Sequence, residues 1–384
     1  MTQETNTKCN PLKATLLESG SGSNVQRNPN GKLILYLIGH GPDAKYLDRL
    51  LGQLKGHIEA LAFVNTDDTD DCRKVITKHG IPFEYDCVQF SDRKDFDFSL
   101  CRNRALKLAK GLVKDEDTWL LWLDCDDVVC APESILEAIR GKDAVAFAFP
   151  YDVSAATDNI RKIRVHKPEE WKWINKVHEE LVHTTETQPS IAYCPSVVVQ
   201  HKPDEDKSNH DFHISLLQEG CRNAPNEYAY IGKEYFNRLQ FDEALPWLLK
   251  AAAIHDWPNE VYQSWLYAGY IALNHLKDAD KAEEWLTKAS QVLPQRREAW
   301  YFLAQLHARK EDVKSMRKAL AYVSCCNAQI DEHQAMQHKG IYERDGYLLH
   351  AEILLKYGLK KQARSVLDKV KEHDAGYQEL AAQC

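Results

Sequence analysis

From about Asp211 to Cys384 the sequence reads as nearly uninterrupted amphipathic helix in which small and large apolar residues recur in a repeated order. Gly232, Tyr235, Phe241, Ala244, Leu248 and Ala251 form one series; Trp265, Gly269, Ala282, Leu286, Ala289 and Pro294 repeat it with one inserted residue. Two weaker copies follow, with Trp300, Leu303, Ala304, Leu320 and Val323, then Tyr347, Ala351, Gly358, Ala363, Leu367 and Val370. Small residues let paired helices approach, and large ones fill the gap between them. Each pair leaves an apolar face for its neighbour, so the pattern predicts a stack of helix pairs that is stable only as an array. Trp247, Trp265, Trp285 and Trp300 read as packing within those pairs, with a concave partner-binding surface as the alternative.

The amino-terminal half obeys a different rule. LILYLI at Leu33 to Ile38 is a continuous apolar run of strand length ending in His40, Gly41 and Pro42, and it reads as a central strand. A helical pattern from about Asp43 to Leu54 leads to a second apolar strand, Leu61 to Val64, which runs into NTDDTDD at Asn65 to Asp71. Arg73 to His79 reads as helix and Phe83 to Phe90 as extended. Ser99 to Gly111 reads as helix with Leu100, Ala105, Leu106 and Leu108 on one side. Trp119 to Leu123 is a buried strand that stops in acids, and further strands fall at Ala144 to Phe149 and Ser196 to Gln200, with a polar and aromatic region through His183 between them. Strands alternating with helices predict an α/β domain with a mostly parallel sheet, whose ligand sites lie in polar loops at strand ends. The predicted organisation is a disordered tail over 1–30, the α/β domain over 31–205 and an all-α repeat domain over 206–384, the charged KPDEDKSNHD stretch marking the junction.

Composition narrows the class of partner. The formal net charge of −8 lacks the basic excess that nonspecific phosphate-backbone binding requires. Eleven Cys without a CxxC pair or a regular disulfide spacing read as reduced thiols of a cytoplasmic protein. The first thirty residues hold no signal-peptide core, and no stretch reaches the roughly 18 to 20 apolar residues that span a bilayer, so no integral membrane contact is expected.

Chemistry concentrates in LDCDD, where Asp124, Asp126 and Asp127 follow a hydrophobic strand. Carboxylates are costly to bury unpaired, so acids gathered there face solvent or a cation, and hard oxygen ligands suit Mg²⁺ or Mn²⁺ sharing a diphosphate. Alone, an Asp-x-Asp is also an ordinary acidic turn. Its company adds content. Asn65, Thr66, Asp67, Asp68, Thr69 and Asp70 form a polar turn that serves either as a helix cap or as a receptacle for a base and ribose. DFSLCRNR at Asp97 to Arg104 sets Ser99 near a helix start and Arg102 one turn in, where a guanidinium meets solvent or phosphate. Trp171, Trp173 and Tyr151 are either core or a platform for a sugar or acceptor ring.

With these motifs in order, the chain resembles the family 2 glycosyltransferases of GT-A fold, in the soluble subgroup that carries tetratricopeptide repeats after the catalytic domain. The resemblance covers roughly Leu33 to His201 and then the repeats. It rests on NTDDTDD as the nucleotide loop, DFSLCRN, LDCDD and the later WINKVHEEL. It implies that Asn65, Asp67 and Asp70 lie near the nucleoside, that Arg102 and Asn103 lie near the phosphates or sugar, and that Asp124 and Asp126 bind the metal, with Asp124 also toward the nucleotide-sugar. Asn65 and Asp67 depart from the family pattern, which commonly has Asp and Gly there. The resemblance further implies an inverting displacement in which a carboxylate on the acceptor side acts as base. Glu179 and His178 are the candidates, Glu180 the alternate, and His178 reads equally as a structural residue beside the tryptophans. His201, at a strand end, would complete the metal site as an imidazole ligand or stand as polar surface.

The expected activity is therefore metal-dependent transfer of a sugar from a UDP- or GDP-type donor to an acceptor hydroxyl, with Mn²⁺ or Mg²⁺ as cofactor. Protein, peptide or glycan acceptors fit the repeats, a modified DNA base less well given the acidic balance, and the repeats also suit a homodimer. A repeat-based interaction protein with a degenerate transferase domain is the rival. Nucleotidyl transfer ranks below both, for want of a Gly-rich basic phosphate loop near the first strand.

Overall fold

The computed structural model describes residues 31–153, 160–185, 187–202, 210–220, 227–255, 257–310, 312–325, 338, 340–370 and 373–384. The segment 1–30, read above as a tail, and residues 203–209 of the junction stretch lie outside them. The chain forms two compact units, the first holding residues 31–153 and 160–202, the second residues 210–384.

The first unit contains β1 (Lys32–Gly39), α1 (Ala44–Leu54), β2 (Ala60–Asn65), α2 (Asp71–His79), β3 (Phe83–Cys87), α3 (Phe98–Leu112), β4 (Thr118–Trp122), β5 (Asp127–Cys130) and α4 (Ile135–Ile139). It continues with β6 (Ala146–Val153), β7 (Ile160–His166), β8 (Trp171–Ile174), β9 (Glu180–His183), β10 (Ile191–Tyr193) and β11 (Val198–His201). Among the described residues one sheet runs β3-β2-β1-β4-β7-β6-β11-β5, with β10 also on β6. The β1 pairs with β2 and β4 are parallel, as are β2–β3, β6–β10 and β6–β11. β7 runs antiparallel to both of its neighbours, and β5 to β11. This is a mixed α/β unit with a mostly parallel sheet. β8 and β9 make a separate hairpin.

The unbroken hydrophobicity of β1 has a direct cause. Leu33, Leu35 and Leu37 enter one core with Leu47, Leu50 and Leu51 of α1 and Ile76 of α2. Ile34 and Tyr36 enter the other with Cys101, Ala105 and Leu106 of α3 and with Trp171, Trp173 and Leu181 of the hairpin. A strand covered on both faces has no polar side to show. Polar residues appear only where it ends, which sets the site at the carboxyl edge of the strands.

Several elements differ from the sequence reading. The strand expected over Phe83 to Phe90 stops at Cys87, and the one expected to end at Phe149 runs on to Val153. The polar region before His183 contains β7, β8 and β9. In β7, IRKIRVH, the charged side chains lie against aromatic rings, Lys162 and Arg164 over Trp122 and Tyr151 and Arg161 over Tyr193, and Arg164 also meets Asp127. Trp171 and Trp173 are each about 3% exposed, so they are core and form no open platform.

The second unit consists of α5 (His210–Gly220), α6 (Tyr228–Asn237), α7 (Phe241–Ile254), α8 (Pro258–Ile271), α9 (Ala279–Val292), α10 (Arg297–Ala308), α11 (Val313–Ser324), α12 (Gly346–Lys356), α13 (Lys360–Leu367) and α14 (Ala375–Gln383). Each helix from α6 to α13 packs on the next, giving a stack of tetratricopeptide-like helix pairs. The small residues act as the pattern requires. A Cβ on Gly232 would lie 2.8 Å from the Leu248 side chain, and one on Gly269 would lie 2.6 Å from that of Leu286. Asp278, Asp312 and Asp374 cap α9, α11 and α14 by accepting backbone N–H bonds. Buried Glu298 accepts from Arg296, Tyr262, Tyr342 and the backbone of His338, a polar network that hydrophobic periodicity does not reveal.

Candidate functional site

Loops leaving β1, β2 and β4 converge at the carboxyl edge of the sheet. The Gly41 N–H donates to Asp67 Oδ2 at 2.7 Å, joining the first loop to the second. A Cβ on Gly41 would stand 2.5 Å from Thr69 Oγ1, so glycine permits this approach. Asn65, 2% exposed, donates its amide to the carbonyls of Asp67 and Thr69, and Asp67 accepts from the Thr69 N–H and hydroxyl. Burial pushes the Asp67 carboxyl up, but the N–H groups of Gly41 and Thr69 outweigh it and hold the group below its ordinary range. Exposed Asp70 stands at the start of α2 without a side-chain cap bond. Beside them His40 Nδ1 lies 2.6 Å from buried Asp43 Oδ2.

The turn from β4 into β5 is closed by two bonds between its ends: the Asp124 N–H donates to Asp127 Oδ2 at 2.9 Å, and the Asp127 N–H to the Asp124 carbonyl at 3.1 Å. β11 runs antiparallel to β5 and sets His201 opposite Asp127. Asp126, Asp127 and His201 thereby offer ligand atoms that all lie within 4.8 Å of one another. His201 Nδ1 is 3.6 Å from Asp126 Oδ1 and 3.6 Å from Asp127 Oδ1. Asp127 Oδ1 and His201 Nδ1 are buried without hydrogen-bond partners. Burial favours the neutral His201 ring, but Asp127 and then Asp126 outweigh it and raise its pKa. Two carboxylates and an imidazole, with Asp127 Oδ1 and His201 Nδ1 unpartnered, fit a divalent cation.

A second cluster surrounds Asp124. Arg102, 4% exposed, projects from α3, bonds Asp124, and donates Nε to Glu179 Oε1 at 2.6 Å. Its guanidinium lies 4.9 Å from the Trp122 ring and 5.0 Å from that of Trp173. Fully buried Arg164 pairs with Asp127 at 3.0 Å and reaches Asp124 at 3.9 Å. Burial alone would raise the Asp124 carboxyl; Arg102, Arg164 and Lys162 outweigh it and hold the group well below the usual carboxylate range. The β8–β9 turn that carries Glu179 has Asn175 and His178 in the left-handed region, at φ 68° and 52°, and its Lys176 carbonyl accepts the Phe98 N–H at the start of α3.

No family model matches the chain, and no curated protein matches it. Among solved structures it is similar to S. aureus TarS 1-349, with a TM-score of 0.36 at 12% identity over 80% of this chain and 99% of that one. It is also similar to the MamA protein, TM-score 0.33 and 15% identity over 46% and 84% of the two chains. A thermophilic TPR protein of Thermus thermophilus gives 0.29 and 13% over 45% and 90%. Likenesses this distant assign neither unit an activity.

The residues singled out in the sequence fall into separate groups. Asn65 and Asp67 build the loop after β2. Asp126 and His201 meet, and Asp127 joins them, whereas Asp124 turns to Arg102 and Arg164. Asn103 holds the hairpin: its amide donates to the Trp173 carbonyl and its Oδ1 accepts the Trp173 N–H, each at 2.8 Å. Arg164 and Lys162 escaped sequence reasoning because β7 carried no motif; their two-residue spacing about Ile163 on a strand was the available signal.

Proposed function

We propose that the first unit is a GT-A-type nucleotide-sugar transferase that uses Mn²⁺ or Mg²⁺. The observation that carries this reading is the meeting of Asp126, Asp127 and His201, with two unused buried lone pairs, at the carboxyl edge of parallel strands next to the Asn65–Asp70 loop. These three residues would hold the cation, and Asp124 would orient the adjoining turn through Arg102 and Arg164. When bound, the cation would offset charge gathering on the departing diphosphate. The loop after β2 receives the nucleoside, with Asp67 and Asn65 fixing its shape and Asp70 at its rim. Glu179 is the base: it takes the acceptor hydroxyl proton as the acceptor oxygen bonds the anomeric carbon and the bond from that carbon to the diphosphate oxygen breaks. Arg102 fixes the Glu179 carboxylate by one oxygen and leaves the other for the proton. His178 and Glu180 flank it as alternates. A protein, peptide or glycan hydroxyl is the acceptor class, with the helical repeats as its docking or dimer surface.

One observation favours the rival reading, a repeat-based interaction protein with an inactive first unit: Arg102 ties up both Asp124 and Glu179. A thermal-shift screen of UDP- and GDP-sugars with and without Mn²⁺ separates the two. The transferase reading expects a metal-dependent rise with one donor that vanishes in Asp126→Ala/Asp127→Ala. No shift from folded protein with any donor supports the rival.

A further inference from the structure

Of the three cations around Asp124, two are held by acids. Arg102 bonds Asp124 and Glu179, and Arg164 pairs with Asp127. Lys162 differs: among the described residues its ammonium makes neither hydrogen bond nor ion pair. It lies 4.3 Å over the Tyr151 ring and 5.9 Å from the Trp122 ring. β7 pairs Lys162 with Phe149 of β6, and the irregular register between Phe147 and Ala148 leaves Arg164, between Ile163 and Val165, without a β6 partner residue. Tyr151 also neighbours His201, with ring centroids 5.9 Å apart. The Lys162 ammonium and the His201 ring of the Asp126, Asp127 and His201 cluster therefore share Tyr151 as a neighbour.

An ammonium carries three donors, and a partly buried one that spends none is costly unless a ligand supplies acceptors. Burial, reinforced by Arg164, pulls the Lys162 pKa down. The nearby acids Asp124, Glu179 and Asp127 already have guanidinium partners, which leaves the Lys162 donors unspent.

We propose that Lys162 is an anion-binding residue of this site, placed over Tyr151 to donate to a phosphate oxygen of the ligand. The phosphate belongs either to the donor's diphosphate, which the adjacent acid and imidazole cluster favours, or to a phosphorylated acceptor. The first source rests on the donor-site reading above; the anion contact itself does not.

The test titrates the full chain and its Lys162→Met and Lys162→Arg variants with uridine, UDP, guanosine and GDP in Mn²⁺, with inorganic pyrophosphate, and with glycerol phosphate at saturating diphosphate. Lys162→Met is expected to weaken diphosphate binding by about ten- to a hundredfold, the size of a lost charge-assisted bond, while nucleoside binding stays unchanged. Lys162→Arg keeps most of the affinity. Loss of glycerol phosphate binding with diphosphate binding intact assigns the same ammonium to the acceptor. Unchanged affinity for every anion in Lys162→Met overturns the proposal while leaving the donor reading standing. A wild type that binds neither UDP nor GDP removes the donor reading, and pyrophosphate then decides Lys162: no binding, or equal binding in Lys162→Met, overturns it. A merely structural lysine would lower the melting temperature when replaced; removal of a buried charge with neither hydrogen bond nor ion pair is expected to hold or raise it.

Discussion

His166 gives the fold a measurable acid sensitivity. Its ring is fully buried on β7, Nδ1 bonds the Lys167 carbonyl at 2.7 Å, and Nε2 lies 2.8 Å from the Tyr36 hydroxyl. A carbonyl only accepts, so Nδ1 carries the proton and Nε2 accepts from Tyr36. Burial holds the folded-state pKa down at about 3. The unfolded chain takes up the proton near pH 6.5. The native state thus binds fewer protons between these values, and the contribution is complete above pH 6.5 and lost as pH falls toward 3. The slope is about 1.4 kcal/mol per pH unit, which gives roughly 2 kcal/mol lost by pH 5 and roughly 4 to 5 kcal/mol over the whole window. Urea unfolding at several pH values between 7.5 and 5, with hydrogen exchange at β4 and β7 amides, compares the wild type with His166→Gln. The other histidines titrate alike in both. The wild type is expected to lose about 2 kcal/mol more than the variant across that range; parallel pH profiles would refute the assignment of a buried neutral ring.

Arg102→Met should destabilise the first unit by about 3 to 5 kcal/mol, because Glu179 and Asp124 lose their shared buried partner. Lowering the pH should then narrow the gap to wild type in urea melts, since protonation relieves those acids, and a gap that widens on acidification contradicts this. Gly269→Ala should cost about 1 to 3 kcal/mol from overpacking on Leu286, against the usual helical gain of nearly 1 kcal/mol for this change. Adding Leu286→Ala should make the Gly269→Ala step cheaper in a double-mutant cycle, and strict additivity would show that the close approach is not the cause.

The parts legible in the sequence were those fixed by local pattern. The apolar runs of β1, β2 and β4 announce strands covered on both faces, and the Gly232/Leu248 and Gly269/Leu286 spacing announces helices that touch. What stayed hidden depends on partners distant in sequence. Which acids of LDCDD meet His201 is decided by β11 pairing with β5, and β5 is four residues long. Arg102 reads as exposed on a helix until the β8–β9 turn brings Glu179 to it from 77 residues away. Asn103 looks like a ligand residue, yet its amide oxygen and nitrogen both bond the Trp173 backbone. β7 is disguised by its own charges, of which Arg164 pairs with Asp127 and approaches Asp124 while Arg161 and Lys162 lie over tyrosine rings.

The central claim is a donor site built around Asp126, Asp127 and His201, and its most direct test is binding of Mn²⁺ read by the loss of the free-ion resonance in electron paramagnetic resonance. Wild-type protein with a nucleoside diphosphate, UDP or GDP, should deplete free Mn²⁺, with each ligand tightening the other, and Asp127→Ala and His201→Ala should abolish that depletion. Equal depletion by wild type and both variants, or none by folded wild type with either diphosphate, would contradict the account.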